Sequence, residues 1–146
     1  MRFTTLIKGS ALALTVSLGF AAPALADRNR VTIDQQGFYN QIGAGQYGRL
    51  NRMTVTQRGN GQTSIAVQDG RRNTMVVGQT GIDHTTFSTQ AGRCNISGVA
   101  QYGVGHTADT LQRGRCNASA IIQTGRKNSA TSTQIGTGNV AVIIQD

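Results

Sequence analysis

The stretch Asn51-Arg52-Met53-Thr54-Val55-Thr56-Gln57-Arg58-Gly59 has a spacing that recurs along almost the whole chain. Glutamine returns every 11 residues without insertion or deletion, and a glycine follows two residues after each of the first ten glutamines. A period this strict predicts a repeat architecture. The glutamines are Gln35, Gln46, Gln57, Gln68, Gln79, Gln90, Gln101, Gln112, Gln123, Gln134 and Gln145. The glycines are Gly37, Gly48, Gly59, Gly70, Gly81, Gly92, Gly103, Gly114, Gly125 and Gly136.

A third polar position lies six residues before each glutamine. The position holds Gln62 in one unit, His84 and His106 in two others, and asparagine in the rest. Stacked along a repeat axis, these amides and the glutamines would form hydrogen-bonded ladders in a fibre core, and the glycines would supply the turns. The asparagines are Asn29, Asn40, Asn51, Asn73, Asn95, Asn117, Asn128 and Asn139.

Each unit is predicted to form one β-strand. A helix is the competitor, because eleven residues also fit three helical turns. A glycine in every unit, together with many Thr, Val and Ile residues, disfavours helix and favours strand. The predicted strands are 29–35, 40–46, 51–57, 62–68, 73–79, 84–90, 95–101, 106–112, 117–123, 128–134 and 139–145.

Two alternating sets of units show that the true repeat is two units long. Two residues before the glutamine, the first set has β-branched aliphatic residues such as Ile33 and Val55, whereas the second has small or hydroxyl residues such as Ala44 and Ser88. Large against small is what two facing sheets need for close packing. The predicted fold class is therefore all-β: a parallel β-solenoid (cross-β) with coils of strand-turn-strand-turn, two facing in-register sheets, and about 5 coils stacked about 4.8 Å apart.

Residues 1–26 have the pattern of a secretory signal peptide. Arg2 and Lys8 lie in the basic start, a mostly apolar run follows, and Ala24-Leu25-Ala26 fits signal peptidase, so we expect cleavage after Ala26. The apolar run is shorter than the roughly 18 residues that a membrane span needs. Loss of the two basic residues lowers the formal net charge from +8 to +6. We expect a secreted, basic chain of residues 27–146 without a membrane span.

The repeat resembles that of a known family. Asn117-x-Ser119-x-Ile121-x-Gln123-x-Gly125-x-x-Asn128-x-Ala130-x-x-x-Gln134 is similar to the curlin repeat of the subunits of curli, extracellular amyloid fibres of bacterial biofilms. The resemblance covers residues 29–145 and implies export through the curli secretion pore with a periplasmic chaperone, and assembly with related curlin subunits. It leaves open whether the chain is a major subunit or a minor, nucleating one.

Two cysteines lie one full repeat apart, Cys94 and Cys116, at equivalent turn positions. Stacking would bring their Cα atoms about 4.8 Å apart, within the range of a disulfide, and secretion would expose them to an oxidising compartment. We predict a disulfide between successive coils, and two exposed thiols are the alternative. Two cysteines alone leave zinc short of ligands, so neither a metal nor another cofactor is expected.

Four arginines also recur at the repeat step: Arg49, Arg71, Arg93 and Arg115. They predict a guanidinium column along one edge, which is either a solvated turn or a site for anionic matrix polymers, DNA or lipopolysaccharide phosphate bound without sequence preference. The two histidines are likewise one repeat apart. Their imidazoles either replace amides in the ladder or slow assembly near the histidine pKa.

The open strand edges expected at both ends favour a structural role. Open edges are templates for further strands, and two different ends joined head to tail produce a filament. We expect a subunit of an extracellular functional amyloid fibre for biofilm matrix, adhesion and surface colonisation. No nucleophile is positioned for catalysis and a thin solenoid encloses no pocket, so an enzyme is not expected. The rival of another class is a monomeric secreted solenoid that binds anionic polymer, or binds ice through pairs such as Thr54-x-Thr56.

One count complicates end-to-end assembly. The first set contains six predicted strands and the second five, so identical copies stacked end to end would lack one strand at every junction. Either the strand 29–35 lies outside the fibre core, or this subunit starts or ends fibres.

Overall fold

The computed structural model describes residues 28–146, so the predicted signal peptide lies outside the described residues. Eleven strands follow one another along the described chain. They are β1 Arg30–Phe38, β2 Gln41–Arg49, β3 Arg52–Asn60, β4 Thr63–Arg71, β5 Thr74–Ile82, β6 Thr85–Arg93, β7 Ile96–Val104, β8 Thr107–Arg115, β9 Ala118–Gln123, β10 Ser129–Thr137 and β11 Val140–Gln145. No helix within residues 28–146 has the length and apolar character of a membrane span.

The strands alternate between two parallel sheets. The odd-numbered strands form a six-stranded sheet in the order β1-β3-β5-β7-β9-β11, and the even-numbered strands form a five-stranded sheet in the order β10-β8-β6-β4-β2. Each strand pairs with its counterpart one repeat later, so that Gln57 lies opposite Gln79 and Gln68 opposite Gln90. One odd and one even strand make a coil. The predicted β-solenoid with a two-unit repeat is confirmed.

Most strands are longer than predicted, because they continue through the recurring glycine of each unit. Strand β3 runs over Arg52–Asn60, whereas the spacing predicted 51–57. Gly59 has a positive φ of 126° and still pairs with Gly81 of the next coil. These glycines bend the strand without interrupting it. Only β9 and β11 end at their glutamines, Gln123 and Gln145.

The chain turns the corner between two strands of a coil at a residue in the left-handed backbone conformation, two residues beyond each of these glycines. The sequence pattern predicted the turns at the glycines themselves. Residues at this position have φ near +60°, for example Leu50 at 59° and Arg72 at 57°. For a residue with a side chain this conformation costs roughly 1–2 kcal/mol. The repeat glycines also have positive φ, and stacking requires them for a second reason: a Cβ on Gly59 would overlap the carbonyl oxygen of Gly81.

The core is the narrow space between the sheets, and its packing follows the predicted alternation of size. Val55 and Ile121 of the six-stranded sheet are fully buried, as are Ala66 and Ala108 of the five-stranded sheet. Burial decreases at the first strand, where Ile33 is 49% exposed, because a terminal strand has a neighbouring coil on one side only. The ends of the stack are therefore the incompletely buried parts of the molecule.

Candidate functional site

The glutamine side chains form two continuous ladders through the core. Gln57 Nε2 donates to Gln79 Oε1 of the next coil at 2.8 Å and to the carbonyl of Gln41 on the facing sheet at 3.1 Å. Every ladder bond has the same direction, with the donor on the N-terminal side. The ladders are Gln35-Gln57-Gln79-Gln101-Gln123-Gln145 and Gln46-Gln68-Gln90-Gln112-Gln134.

The asparagines stack in columns too, but they mainly bind backbone groups. Asn51 Oδ1 accepts the backbone N–H of Asn73 at 3.0 Å, and Asn51 Nδ2 donates to the carbonyls of Tyr47 at 2.8 Å and Gly70 at 3.1 Å. The shorter asparagine side chain keeps its amide at the corner, where the backbone leaves the sheet pairing. This geometry joins adjacent coils through the backbone. The expected amide-to-amide bonds occur at two steps, from Asn117 Nδ2 to Asn95 Oδ1 at 3.2 Å and from Asn139 Nδ2 to Asn117 Oδ1 at 3.1 Å.

The two histidines occupy asparagine positions and reproduce the asparagine bonds. His84 Nδ1 accepts the backbone N–H of His106 at 3.2 Å, and His106 Nδ1 accepts that of Asn128 at 3.1 Å. The Nε2 atoms lie 3.1 and 3.0 Å from the carbonyl oxygens of Thr80 and Tyr102, so they are assigned as donors. The buried rings stack with centroids 5.0 Å apart. The bond that His84 Nδ1 accepts requires a neutral imidazole, and burial lowers the pKa of His84.

Hydroxyl groups add bonds across the core that the sequence reasoning did not anticipate. Thr86 Oγ1 accepts a hydrogen bond from Gln79 at 3.1 Å and donates to Gln101 at 2.9 Å. Ser119 donates to Ser132 on the facing sheet at 2.8 Å. The sequence does show hydroxyl residues at inward positions. The hydrogen-bond partner of each hydroxyl, however, depends on the stagger between the two sheets.

Three buried side-chain atoms in the described chain have no hydrogen-bond partner: Gln46 Oε1, Gln62 Oε1 and Ser64 Oγ. Gln62 occupies an asparagine position with a side chain one methylene longer, and its Oε1 does not reproduce the asparagine bond to the next coil. Gln46 is different, because it is the first glutamine of its ladder and no coil precedes it in the five-stranded sheet. An unpaired buried acceptor at an open end is a feature that an added strand would satisfy.

The two cysteines lie at equivalent corners of successive coils. The backbone N–H of Cys94 donates to Arg71, and that of Cys116 donates to Arg93. Both thiols are free in the structure. A hydrogen bond with the Cys116 thiol raises the pKa of Cys94 and burial adds to the rise, whereas Arg93 and Arg115 act in the opposite direction. The structure brings the two side chains together, and the disulfide stays a prediction.

The arginine column is in register along the same edge of the solenoid. Arg49 lies opposite Arg71, Arg71 opposite Arg93, and Arg93 opposite Arg115, and all four side chains are exposed. Neighbours are about 4.8 Å apart in backbone position, closer than the Debye length of about 8 Å at physiological salt. Arg72 adds a further charge to this edge. The column concentrates positive potential on one side of the stack.

The threonine pair proposed for ice binding does not continue along the stack. Thr54 and Thr56 lie opposite Val76 and Gly78 in the next coil. A flat array of threonine side chains is therefore absent from this face of the described chain.

The in-register sheets and buried amide ladders define a stacked repeat protein of the parallel β-solenoid class. The family model for the curlin associated repeat matches residues 26–59, 51–81 and 107–136, which together make up more than half of the chain. The chain belongs to the curlin-repeat family. No curated protein sequence matches it.

Proposed function

We propose that the chain is a structural subunit of an extracellular functional amyloid fibre of the curli type. The observation that carries this proposal is the open edge at each end of both sheets: β1 and β11 end one sheet, and β2 and β10 end the other. Unpaired edges with a regular pleat template further strands. Membership of the curlin-repeat family supports the same role.

The direction of the glutamine ladders supports head-to-tail addition. The N-terminal end presents the acceptor Gln46 Oε1. At the C-terminal end of the same ladder, Gln134 Nε2 donates to the carbonyl of Ala118 at 2.9 Å and retains a second hydrogen for a following coil. Two different surfaces that complement each other give an open filament and not a closed ring.

The biological role proposed is biofilm matrix formation, adhesion and surface colonisation, without catalysis. The proposal includes secretion through the curli pore with its periplasmic chaperone, and membership of the curlin-repeat family supports this route. The same contacts would serve a major subunit or a minor nucleating subunit, because both require a templating edge.

The direct test incubates purified residues 27–146 and follows thioflavin T fluorescence together with fibre diffraction. We expect fibres with a meridional reflection near 4.7–4.8 Å, the strand spacing of a cross-β stack. A chain that remains monomeric and folded, or fibres without this reflection, would contradict the proposal.

We further propose that the arginine column binds polyanions once fibres have formed. Its repulsion between like charges is relieved when phosphate, sulfate or carboxylate groups lie along it. The triple variant Arg71→Gln, Arg93→Gln, Arg115→Gln should lose most binding of duplex DNA and heparin, and the slope of affinity against salt should become shallower. The control variant Arg52→Gln, Arg58→Gln removes arginines from the outer face of β3 and should retain binding.

A further inference from the structure

The C-terminal end of the solenoid is half a coil. Strand β11 extends the six-stranded sheet, but the five-stranded sheet has no strand opposite it. The inward residues of β11, which are Ala141, Ile143 and Gln145, are only partly buried as a result. A strand supplied by a second copy of the chain would face them.

We infer that subunits join by strand exchange, in which β11 of one copy takes the place of β1 in the next copy. Strand β2 of that next copy then pairs with β10 and faces β11, while β3 of that copy pairs with β11. The displaced β1, Arg30–Phe38, leaves the core. The inference rests on the proposed fibre function and specifies its joint: the partner is a second copy of this chain.

The unsatisfied acceptor of Gln46 supports this joint. Gln46 Oε1 is buried without a hydrogen-bond partner at the open edge of β2. Within the ladder, such an oxygen accepts from the glutamine of the preceding coil, as Gln134 Oε1 accepts from Gln112 at 2.7 Å. Gln134 Nε2 donates to the carbonyl of Ala118 at 2.9 Å and keeps its second hydrogen for the next coil. Pairing β10 with β2 of the next copy brings this donor to Gln46 Oε1.

Strand β11 also matches the edge position that β1 occupies beside β3 in the six-stranded sheet. Gln35 Nε2 donates to Gln57 at 2.9 Å and Asn29 Oδ1 accepts the backbone N–H of Asn51 at 2.9 Å. Gln145 at the end of β11 and Asn139 just before it hold the same repeat positions, so they can form both bonds with Gln57 and Asn51 of the next copy. The inward aliphatic residue is also the same, isoleucine at 33 and at 143.

Strand β1 makes weaker side-chain contacts with β3 than β11 would make in the same position. Arg30 lies directly opposite Arg52, and like charges in this arrangement are destabilising. The ion pair between Arg58 and Asp34, at 3.7 Å, joins two exposed side chains and contributes little. In β11 the outer residues are Val140, Val142 and Ile144, which bring no like charge against Arg52.

Strand exchange and a simple stack gain the same number of strand pairs, so they differ little in the number of backbone hydrogen bonds formed. A simple stack adds one pair, β11 with β1 of the next copy, and leaves β10 and β2 unpaired. Exchange adds two pairs and breaks one, so the net gain is the same. The difference is in the core, because exchange covers the inner face of β11 and closes both glutamine ladders. Burial of apolar surface and of polar groups with satisfied hydrogen bonds then favours exchange.

The test uses single cysteines on outward positions, in full-length chains that also carry Cys94→Ser and Cys116→Ser. Exchange places Val142 of one copy beside Thr54 of the next, whereas a simple stack places it beside Thr32 of the next, because Thr32 and Thr54 are paired in register. Within one chain, Thr54 and Val142 are four coils apart, about 19 Å, so any disulfide must join two copies.

Chains with Val142→Cys are mixed with chains carrying Thr54→Cys or, as the matched control, Thr32→Cys. The mixtures assemble under reducing conditions, the fibres are oxidised, and dissolved samples are run on a non-reducing gel. We expect a covalent dimer in the Thr54→Cys mixture at about tenfold the yield of the Thr32→Cys mixture, because a disulfide needs Cα atoms within about 7 Å.

Each other outcome overturns the inference in a recognisable way. Dimers in the Thr32→Cys mixture alone would establish the simple stack. Fibres with a reflection near 4.7 Å but no dimer in either mixture would reject exchange while leaving the fibre function standing. No fibre from the parent chain would instead reject the proposed function itself, and the joint with it.

Discussion

Acidification should weaken the stack at the buried imidazole of His84, which stacks on the ring of His106. In the stack, Nδ1 of each ring accepts a backbone N–H from the next coil, so a proton on Nδ1 would face another donor. Burial lowers the pKa of His84, and the charge of His106 acts in the same direction, while Asp83 opposes both. The unfolded chain therefore takes up a proton that the folded chain resists.

The sign and size follow from linkage. A lowered folded-state pKa gives stability that is complete above the unfolded value, about 6.5, and is lost as pH falls below it. For a single group such as His84, linkage limits the loss to about 1.4 kcal/mol per pH unit below the unfolded value, which is at most about tenfold per pH unit in the concentration of unassembled chain.

The assay sediments fibres at equilibrium and measures the chain left in solution at pH 7.5, 6.5 and 5.5. The control is the double variant His84→Asn, His106→Asn, because asparagine forms the same backbone bonds at equivalent positions, as Asn51 and Asn73 do. Its soluble concentration should be independent of pH in this range. An equal rise in the variant, or a constant concentration in the parent chain, would refute the assignment to the imidazoles.

Three further changes test the stacking contacts. Gly59→Ala should prevent assembly, as judged by thioflavin T, because its Cβ would overlap a backbone carbonyl of the next coil, whereas Gly98→Ala, with open space around the added carbon, should assemble normally. Gln62→Asn should stabilise the fibre against denaturant by about 1 kcal/mol by replacing an unsatisfied buried amide oxygen with one that reaches the next coil, and unchanged or lower stability would contradict this. Cys94 and Cys116 should be oxidised in natively exported protein, so a free-thiol assay should find no reactive group, and two reactive thiols would reject the disulfide.

Periodicity made most of the fold accessible from the sequence. The step from Gln57 to Gln79 predicted which residues stack, and the contrast between Val55 and Ala66 predicted two facing sheets. These inferences succeed because every inward side chain in a solenoid lies over an equivalent side chain one coil away. The repeat also indicated that the two histidines and the two cysteines are neighbours.

The details at the corners were less accessible. The glycine pattern suggested turns at residues such as Gly48, whereas the left-handed turn residue is Leu50, whose side chain gives no hint of that conformation. The asparagine amides were expected to bond to one another, yet they mainly bind the corner backbone, and amide-to-amide bonds join only Asn95, Asn117 and Asn139 in the described chain. Both outcomes depend on how the chain closes each coil against its neighbours, which a pattern of residue types does not encode.

By itself, the amino-acid sequence determined the repeat, the inward and outward faces, the register of the sheets and the size pattern of the core, because strand periodicity translates spacing directly into position. Only the tertiary structure decided which backbone groups the asparagines bind and which residues form the corners. It also showed that Gln46 is left with an unpaired buried oxygen at one end and β11 with an uncovered face at the other. The physical reason is that residues inside the stack contact equivalent residues in the neighbouring coils, whereas residues at the corners and ends make contacts that are not repeated.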